Sequence, residues 1–309
     1  MRIAFDGVFM EPVAAKPAPQ AQHRVAASGI KPIWCPGCGD FGVMSSLMKA
    51  LTDLGIEKHN VVLVSGIGCS SSMPHPFNTY GVHTLHGRLL PVASGVRLAN
   101  SSLTVVGVGG DGDGYGIGGN HFVHTARRNI KITYIVMDNE TYGLTTGQAS
   151  PTALMGAKTK STPFGVIERP INPIALALAA GATYVARGFS GYPPHLTELI
   201  KGGLQHEGFA LIDVFSPCVT FNALNTYDWF RARLYKLEEA GHDPANLQAA
   251  FARAVEENET DYKRVPIGLF YKTSRPTFES MNLALKGRPP LVKQQIPDRS
   301  QVERMLSEG

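Results

Sequence analysis

Cysteine, tryptophan and charge are all scarce in this chain: 4 Cys, 2 Trp and 17% charged residues among 309. Four cysteines over such a length exclude a disulfide scaffold and leave metal ligands, a redox dithiol or buried core thiols as their uses. No apolar run approaches the ~20 residues of a membrane span. The opening stretch MRIAFDGVFMEPVAAKPAPQAQHR lacks the charged, apolar and cleavage regions of a secretion signal, so a cytoplasmic location is expected. Basic residues nowhere reach the density of a nucleic-acid footprint, and a net charge of +4 suits anionic small molecules or an acidic protein partner. Internal repeats and a clear linker are missing too. What remains is an ordinary globular composition, 43% hydrophobic, able to bury a large sheet.

The apolar pattern alternates between two kinds of segment. Short β-branched runs predict strands at 61–64, 103–108, 132–137, 182–187 and 209–215. Helical spacing predicts helices near 41–54, 88–100, 174–180, 195–206 and 245–257, and another through Phe122, Val123 and Ala126 that closes on Arg127 and Arg128. This order implies an α/β fold, a doubly wound and mostly parallel sheet flanked by helices. Three parts are expected: an extended arm over 1–30, an α/β domain over 31–225, and a C-terminal extension over 226–309 that contacts a partner. Loops are expected around Pro74 and Pro76, over 145–169, and at Pro266–Phe270.

Chemistry concentrates where strands end. Cys35 and Cys38 flank a Pro-Gly turn, while Cys69 and Cys218 each follow a predicted strand at its carboxyl end. An iron–sulfur cluster, a zinc ion, or a dithiol beside two core thiols all use a C-x-x-C pair. The wide separation of Cys69 from Cys218 suits a cluster held between loops better than paired zinc knuckles.

After the strand at 103–108 comes GGDGDGYGIGG, and the next strand runs into Asp138-Asn139. Gly114-x-Gly116-x-x-Gly119 fits a dinucleotide-binding turn. Asp111 and Asp113, however, stand where a bare pyrophosphate would approach and would repel it unless a cation intervened. A hard divalent ion supplies that cation. It takes oxygen ligands, which Asp111, the Asn139 amide and a backbone carbonyl just beyond can provide, and glycines let the backbone close on phosphate. Gly110-Asp111-Gly112 followed, after 26 intervening residues, by Asn139 is similar to the metal-binding signature of thiamine diphosphate enzymes.

Taken with CPGCGDFG, GIGCSS and DNETYGLT, this turn makes residues 31–225 resemble the β subunit of 2-oxoacid:ferredoxin oxidoreductases. The resemblance implies a thiamine diphosphate-binding fold and a [4Fe–4S] cluster on Cys35, Cys38, Cys69 and Cys218. It implies Mg²⁺ on Asp111, Asn139 and the Thr141 carbonyl. Ile67, Gly68, Cys69, Ser70, Gly110, Gly112, Asp113, Gly143 and Leu144 would line the cofactor, with His86 beside it as a catalytic group. The implied reaction is oxidative decarboxylation of a 2-oxo acid to acyl-coenzyme A and CO₂, with electrons leaving through the cluster to ferredoxin. The activating glutamate of such enzymes comes from a second domain, which this chain lacks, so an α subunit is expected to complete the site. No role is assigned to His83, His121 or His124.

Two departures bear on substrate. Ser72 and Thr146 stand where many relatives carry basic residues, which leaves Arg88 or the partner chain to meet a second substrate carboxylate. The HGR and YGLTxGQ segments favour 2-oxoglutarate, with pyruvate next. The rival readings are a non-redox thiamine diphosphate decarboxylase, a nicotinamide-binding Rossmann protein, and an electron-transfer or scaffold subunit without the cofactor site.

Overall fold

The computed structural model describes residues 23–294 and 298–307. Its strands are β1 (Val61–Ser65), β2 (Tyr80–His83), β3 (Thr104–Gly110), β4 (Thr133–Asp138), the short hairpin β5 (Thr141–Tyr142) and β6 (Gln148–Ala149), β7 (Tyr184–Phe189), β8 (Ala210–Phe215), β9 (Leu234–Lys236) and β10 (Val265–Lys272). Among the described residues, all but the hairpin form one eight-stranded sheet in the order β2-β1-β3-β4-β8-β7-β10-β9. The pairs from β2 through to β7 are parallel, β10 is antiparallel to β7, and β9 runs parallel to β10.

Two-sided burial explains the β-branched runs. Every residue of β1, β4, β7 and β8 is buried, because helices cover both faces of the sheet. On one face α1 (Asp40–Asp53) packs against α5 (Pro193–Gln205), with Val43, Leu47, Ala50 and Leu51 meeting a core that includes Leu196, Leu199 and Ile200. On the other face lie α2 (Leu89–Ala99), α3 (Gly119–Arg128), α4 (Pro173–Ala179) and, after the short α6 (Tyr227–Arg231), α7 (Leu247–Glu259); Leu90, Phe122, Ile174 and Ala254 of α2, α3, α4 and α7 share a core. Helix ends carry their own chemistry. Asn172 accepts the Ala175 N–H at the start of α4 with Pro173 in its first turn, and Asn129 closes α3 in the left-handed region at φ +52°.

Two expected loops are strands. β2 was hidden because an edge strand needs no alternating apolar face: Tyr80, Gly81 and His83 are exposed. Residues 266–270 form the centre of β10, where Pro266 and Gly268 interrupt the strand pattern. Gly268 sits at φ +126° with the Glu238 carboxylate where a Cβ would go, and a bulge follows at Leu269. The stretch after 225 therefore does not stand apart from the domain before it, since β9 and β10 belong to the same sheet. Most of the expected arm, residues 1–22, lies outside the described residues. Arg24 and Ala27 bridge to Glu57 and Phe77, and Val25 is buried.

Candidate active site

From β1 the chain first goes out to β2 and then crosses back to β3, so the strand order reverses between β1 and β3. A ligand crevice is expected beyond the carboxyl ends of the strands at such a switch point. A cleft of about 220 Å³ opens there. Ile67, Gly68, Cys69 and Ser70 line it from the loop after β1, and His86 from the loop after β2. Gly110, Asp111, Gly112 and Asp113 come from the β3 end. Asn139, Thr141, Gly143 and Leu144 follow β4. The sequence reading missed Tyr142 and Thr145, which also face the cleft.

Asp113 ties these loops together. Its Oδ1 accepts the backbone N–H of Ile67 at 2.9 Å and of Gly87 at 2.7 Å, and lies 2.9 Å from His86 Nδ1. A carboxylate accepts and does not donate, so His86 carries its ring proton on Nδ1 when neutral and leaves Nε2 as a free acceptor. The turn that bears Asp113 is a π-helix, Gly112–Ile117, in place of the plain glycine turn expected. Its glycines answer to close neighbours: a Cβ on Gly112 would lie 2.2 Å from the Tyr142 ring, and one on Gly114 would lie 2.0 Å from the Tyr134 hydroxyl oxygen.

Asp111 is 1% exposed and its Oδ2 accepts from Thr152 Oγ1 at 2.6 Å. The same hydroxyl lies 2.8 Å from Asp138 Oδ1. One hydroxyl thus faces both acids, and burial, with the neighbouring Asp111 adding to it, pushes the Asp138 pKa well above the ordinary carboxylate value. Burial also raises the Asp111 pKa, but hydrogen bonds from Ser150 and Thr152 oppose the shift. Across the cleft, the Asn139 amide oxygen accepts the Thr141 N–H at 3.1 Å, with Glu140 between them in the left-handed region at φ +59°. Asn222, from the loop after β8, donates to the Asn139 carbonyl at 3.1 Å. Thr152 and Asn222 were missed because nothing local marks them.

The four cysteines are free. The CPGC turn packs against the loop after β8: the Gly39 N–H donates to the Pro217 carbonyl at 3.1 Å, and a Gly39 Cβ would collide with Ser216. Trp34 Nε1–H donates to the Cys69 carbonyl at 2.7 Å, which fastens the third loop to the same turn. A Cβ on Gly143 would lie 3.4 Å from Cys69 Sγ and 4.0 Å from Cys218 Sγ. Burial, with the Asp40 carboxylate adding to it, raises the Cys69 pKa to about 11 and drives that of Cys38 higher still. Thiolates there need a bound cation. Among the described residues no three His, Cys, Asp or Glu side chains stand in ready metal-binding geometry. The oxygen set suits a hard divalent ion through its Asn and backbone members, and the thiols come from three separate loops. Cys69 alone belongs both to the cleft and to the thiol group.

Residues 66–214 match the family model "Thiamine pyrophosphate enzyme, C-terminal TPP binding domain", and residues 218–286 match the model for the C-terminal part of the pyruvate ferredoxin oxidoreductase β chain. A 2-oxoacid:ferredoxin oxidoreductase subunit β from Sulfolobus sp is 44% identical over 280 residues, covering 88% of this chain and 91% of that one. A 2-oxoglutarate synthase subunit KorB from Archaeoglobus fulgidus is 46% identical over 63% of this chain and 73% of its own. Among solved structures, the 2-oxoglutarate:ferredoxin oxidoreductase from Magnetococcus marinus with 2-oxoglutarate, coenzyme A and succinyl-CoA bound superposes with a TM-score of 0.83. It is 44% identical and covers 91% of this chain and 94% of that one.

Proposed function

Since the chain belongs to the β subunits of the 2-oxoacid:ferredoxin oxidoreductases, we propose that it forms half of a site that oxidises 2-oxoglutarate, with pyruvate as the next substrate. Coenzyme A takes the acyl group and ferredoxin the electrons. The observation that supports this reading is the double membership of Cys69, by which a cluster on the thiols would stand against the cofactor cleft. Asp111, the Asn139 amide and the Thr141 carbonyl would hold Mg²⁺, a set of hard oxygen donors. Ile67, Gly68, Ser70, Gly110, Gly112, Asp113, Gly143 and Leu144 would embrace the diphosphate and thiazolium. Cys35, Cys38, Cys69 and Cys218 would hold a [4Fe–4S] cluster. Bound thiamine diphosphate supplies the electron sink that lets CO₂ leave.

The chain's own residues do the rest. Asp113 orients His86, whose Nε2 accepts a hydrogen bond or a proton on the cleft side. Leu85, Ile117 and Leu144 expose apolar side chains beside the cleft, and these support an α subunit as its cover. The segment after 225 is a further contact for that subunit. Among the described residues, Arg88, exposed next to Gly87, and Lys160, whose Nζ donates to Thr146 Oγ1 at 3.3 Å, are cations that could meet a distal substrate carboxylate. Ser72 is not among them, being buried against the Cys69 carbonyl. No helix among the described residues is long and apolar enough to cross a membrane. A reducing cytoplasm would keep the four thiols available for a cluster.

The chain co-purified with its α subunit without air should be brown, and should reduce viologen dependent on coenzyme A, fastest with 2-oxoglutarate. Absence of reduction with every 2-oxo acid tried overturns the proposal, and a colourless complex overturns the cluster.

A further inference from the structure

Beneath the cofactor turn runs a buried ion chain to which the reaction assigns no task. Tyr115, 2% exposed, donates its hydroxyl hydrogen to Asp213 Oδ1 at 2.9 Å. Asp213 Oδ2 accepts from Arg187 Nε at 2.9 Å, and Arg187 Nη1 donates to Glu257 Oε2 at 2.5 Å. Arg187, Asp213 and Glu257 are 1%, 0% and 4% exposed. We infer that the Tyr115 hydroxyl is a positioning group for the diphosphate-binding turn, and that this ion chain is the anchor from which it works.

Three observations lead there. First, Tyr115 lies two residues after Asp113 on the same π-helix, so whatever locates the tyrosine aims the carboxylate that gathers the Ile67 and Gly87 amides. Second, apart from the Asp113 bonds to the Ile67 and Gly87 amides and His86, and a 3.4 Å contact from the Tyr142 hydroxyl to the Gly112 carbonyl, the turn meets its neighbours sterically. Gly112 abuts Tyr142 and Gly114 abuts Tyr134, whose buried hydroxyl has no hydrogen-bond partner. Contact of that kind limits how far the turn can sink but not how it rotates, whereas a charge-assisted hydrogen bond is directional. Third, the anchor spans the molecule. Asp213 sits on β8, Arg187 on β7 and Glu257 on α7, and Glu257 also receives Asn172 Nδ2 from the start of α4 at 3.1 Å. One guanidinium faces two carboxylates, so Asp213 keeps acceptor strength for the tyrosine. Burial works against the Arg187 charge, but Glu257 and Asp213 outweigh it and keep the guanidinium protonated. The cofactor turn is thereby fastened to α7, on the segment that follows residue 225.

The inference rests on thiamine diphosphate binding as proposed above. Its test is calorimetric titration of Mg²⁺ and thiamine diphosphate into the cofactor-stripped α/β complex. Tyr115→Phe keeps the ring, which packs edge-on against Phe122 at 5.5 Å, and removes the hydroxyl. It should raise the dissociation constant about tenfold, with kcat at saturating cofactor within about twofold of wild type. Thr183→Val is the control. It removes an equally buried hydroxyl, bonded to Asn129 and His206 at the amino edge of the sheet. It should lower Tm without moving the dissociation constant, which is the pattern a purely structural role for Tyr115 would also give. A Tyr115→Phe complex that binds cofactor within about twofold of wild type overturns the inference and leaves the function standing. A wild-type complex that binds no thiamine diphosphate overturns both.

Discussion

Gly87 and Asp113 are joined across 26 residues by a 2.7 Å bond from the Gly87 backbone N–H to Asp113 Oδ1. Gly87 holds φ +67°, and a Cβ there would meet Ile117 at 2.4 Å. Asp113→Ala would strand the Gly87 and Ile67 amides together. Each buried donor left unpaired costs about 1–3 kcal/mol. Urea unfolding of the variant should show a loss of that order, and calorimetry a loss of cofactor affinity of at least about tenfold.

Thr152 holds Asp111 from behind. Supporting groups of this kind, when removed, typically cost about 10- to 100-fold in metal affinity. Thr152→Val should therefore shift the Mg²⁺ concentration needed for thiamine diphosphate binding upward by that factor. Unchanged Mg²⁺ dependence would remove Thr152 from the site.

Gly114→Ala should be badly tolerated, because the new methyl would fall 2.0 Å from the Tyr134 hydroxyl oxygen. With Tyr134→Phe added, the nearest ring carbon is 3.2 Å away. The double variant should recover most of the lost Tm, a non-additivity expected of residues in direct contact. If the two losses simply add, the close approach is wrong.

Cys218→Ser should bleach the visible absorption of the anaerobic complex and abolish viologen reduction, since oxygen is a poor substitute for a cluster thiolate. Iron analysis and the visible spectrum check it. Retained colour and iron would take Cys218 out of the ligand set.

His206 makes folding sensitive to acid. Burial, with Lys272 adding to it, lowers its pKa from 6.5 to about 4. Between those values the unfolded chain binds a proton that the folded chain refuses. This contribution is thus fully present above pH 6.5 and is lost as pH falls towards about 4. Relative to wild type, His206→Gln should flatten the decline of stability through that window, as measured by urea unfolding at a series of pH values.

Much of the architecture was legible in the residues. Parallel strands buried on both faces have to be continuous apolar runs, so β1, β3, β4, β7 and β8 announced themselves. β2 and β10 did not, one because an edge is exposed, the other because Pro266 and Gly268 resemble a loop until Glu238 and the bulge are seen beside them.

In the cleft the division is similar. Asp111, Asn139, the glycines, Cys69 and Cys218 could be singled out in the sequence because each belongs to a local motif at a strand end, where this class of sheet binds ligands, and Cys35 and Cys38 because they form a C-x-x-C turn. The tertiary structure decided what supports them. Thr152 reaches Asp111 from 41 residues away, Tyr115 reaches Asp213 from 98, and Asn222 reaches Asn139 from 83. Such partners carry no signal of their own, because a threonine, tyrosine or asparagine acquires its role only when the fold buries it against a charge or an open carbonyl. The sequence alone determined which chemistry the strand ends can hold. How firmly each group is held, and from which distant element, depended on packing.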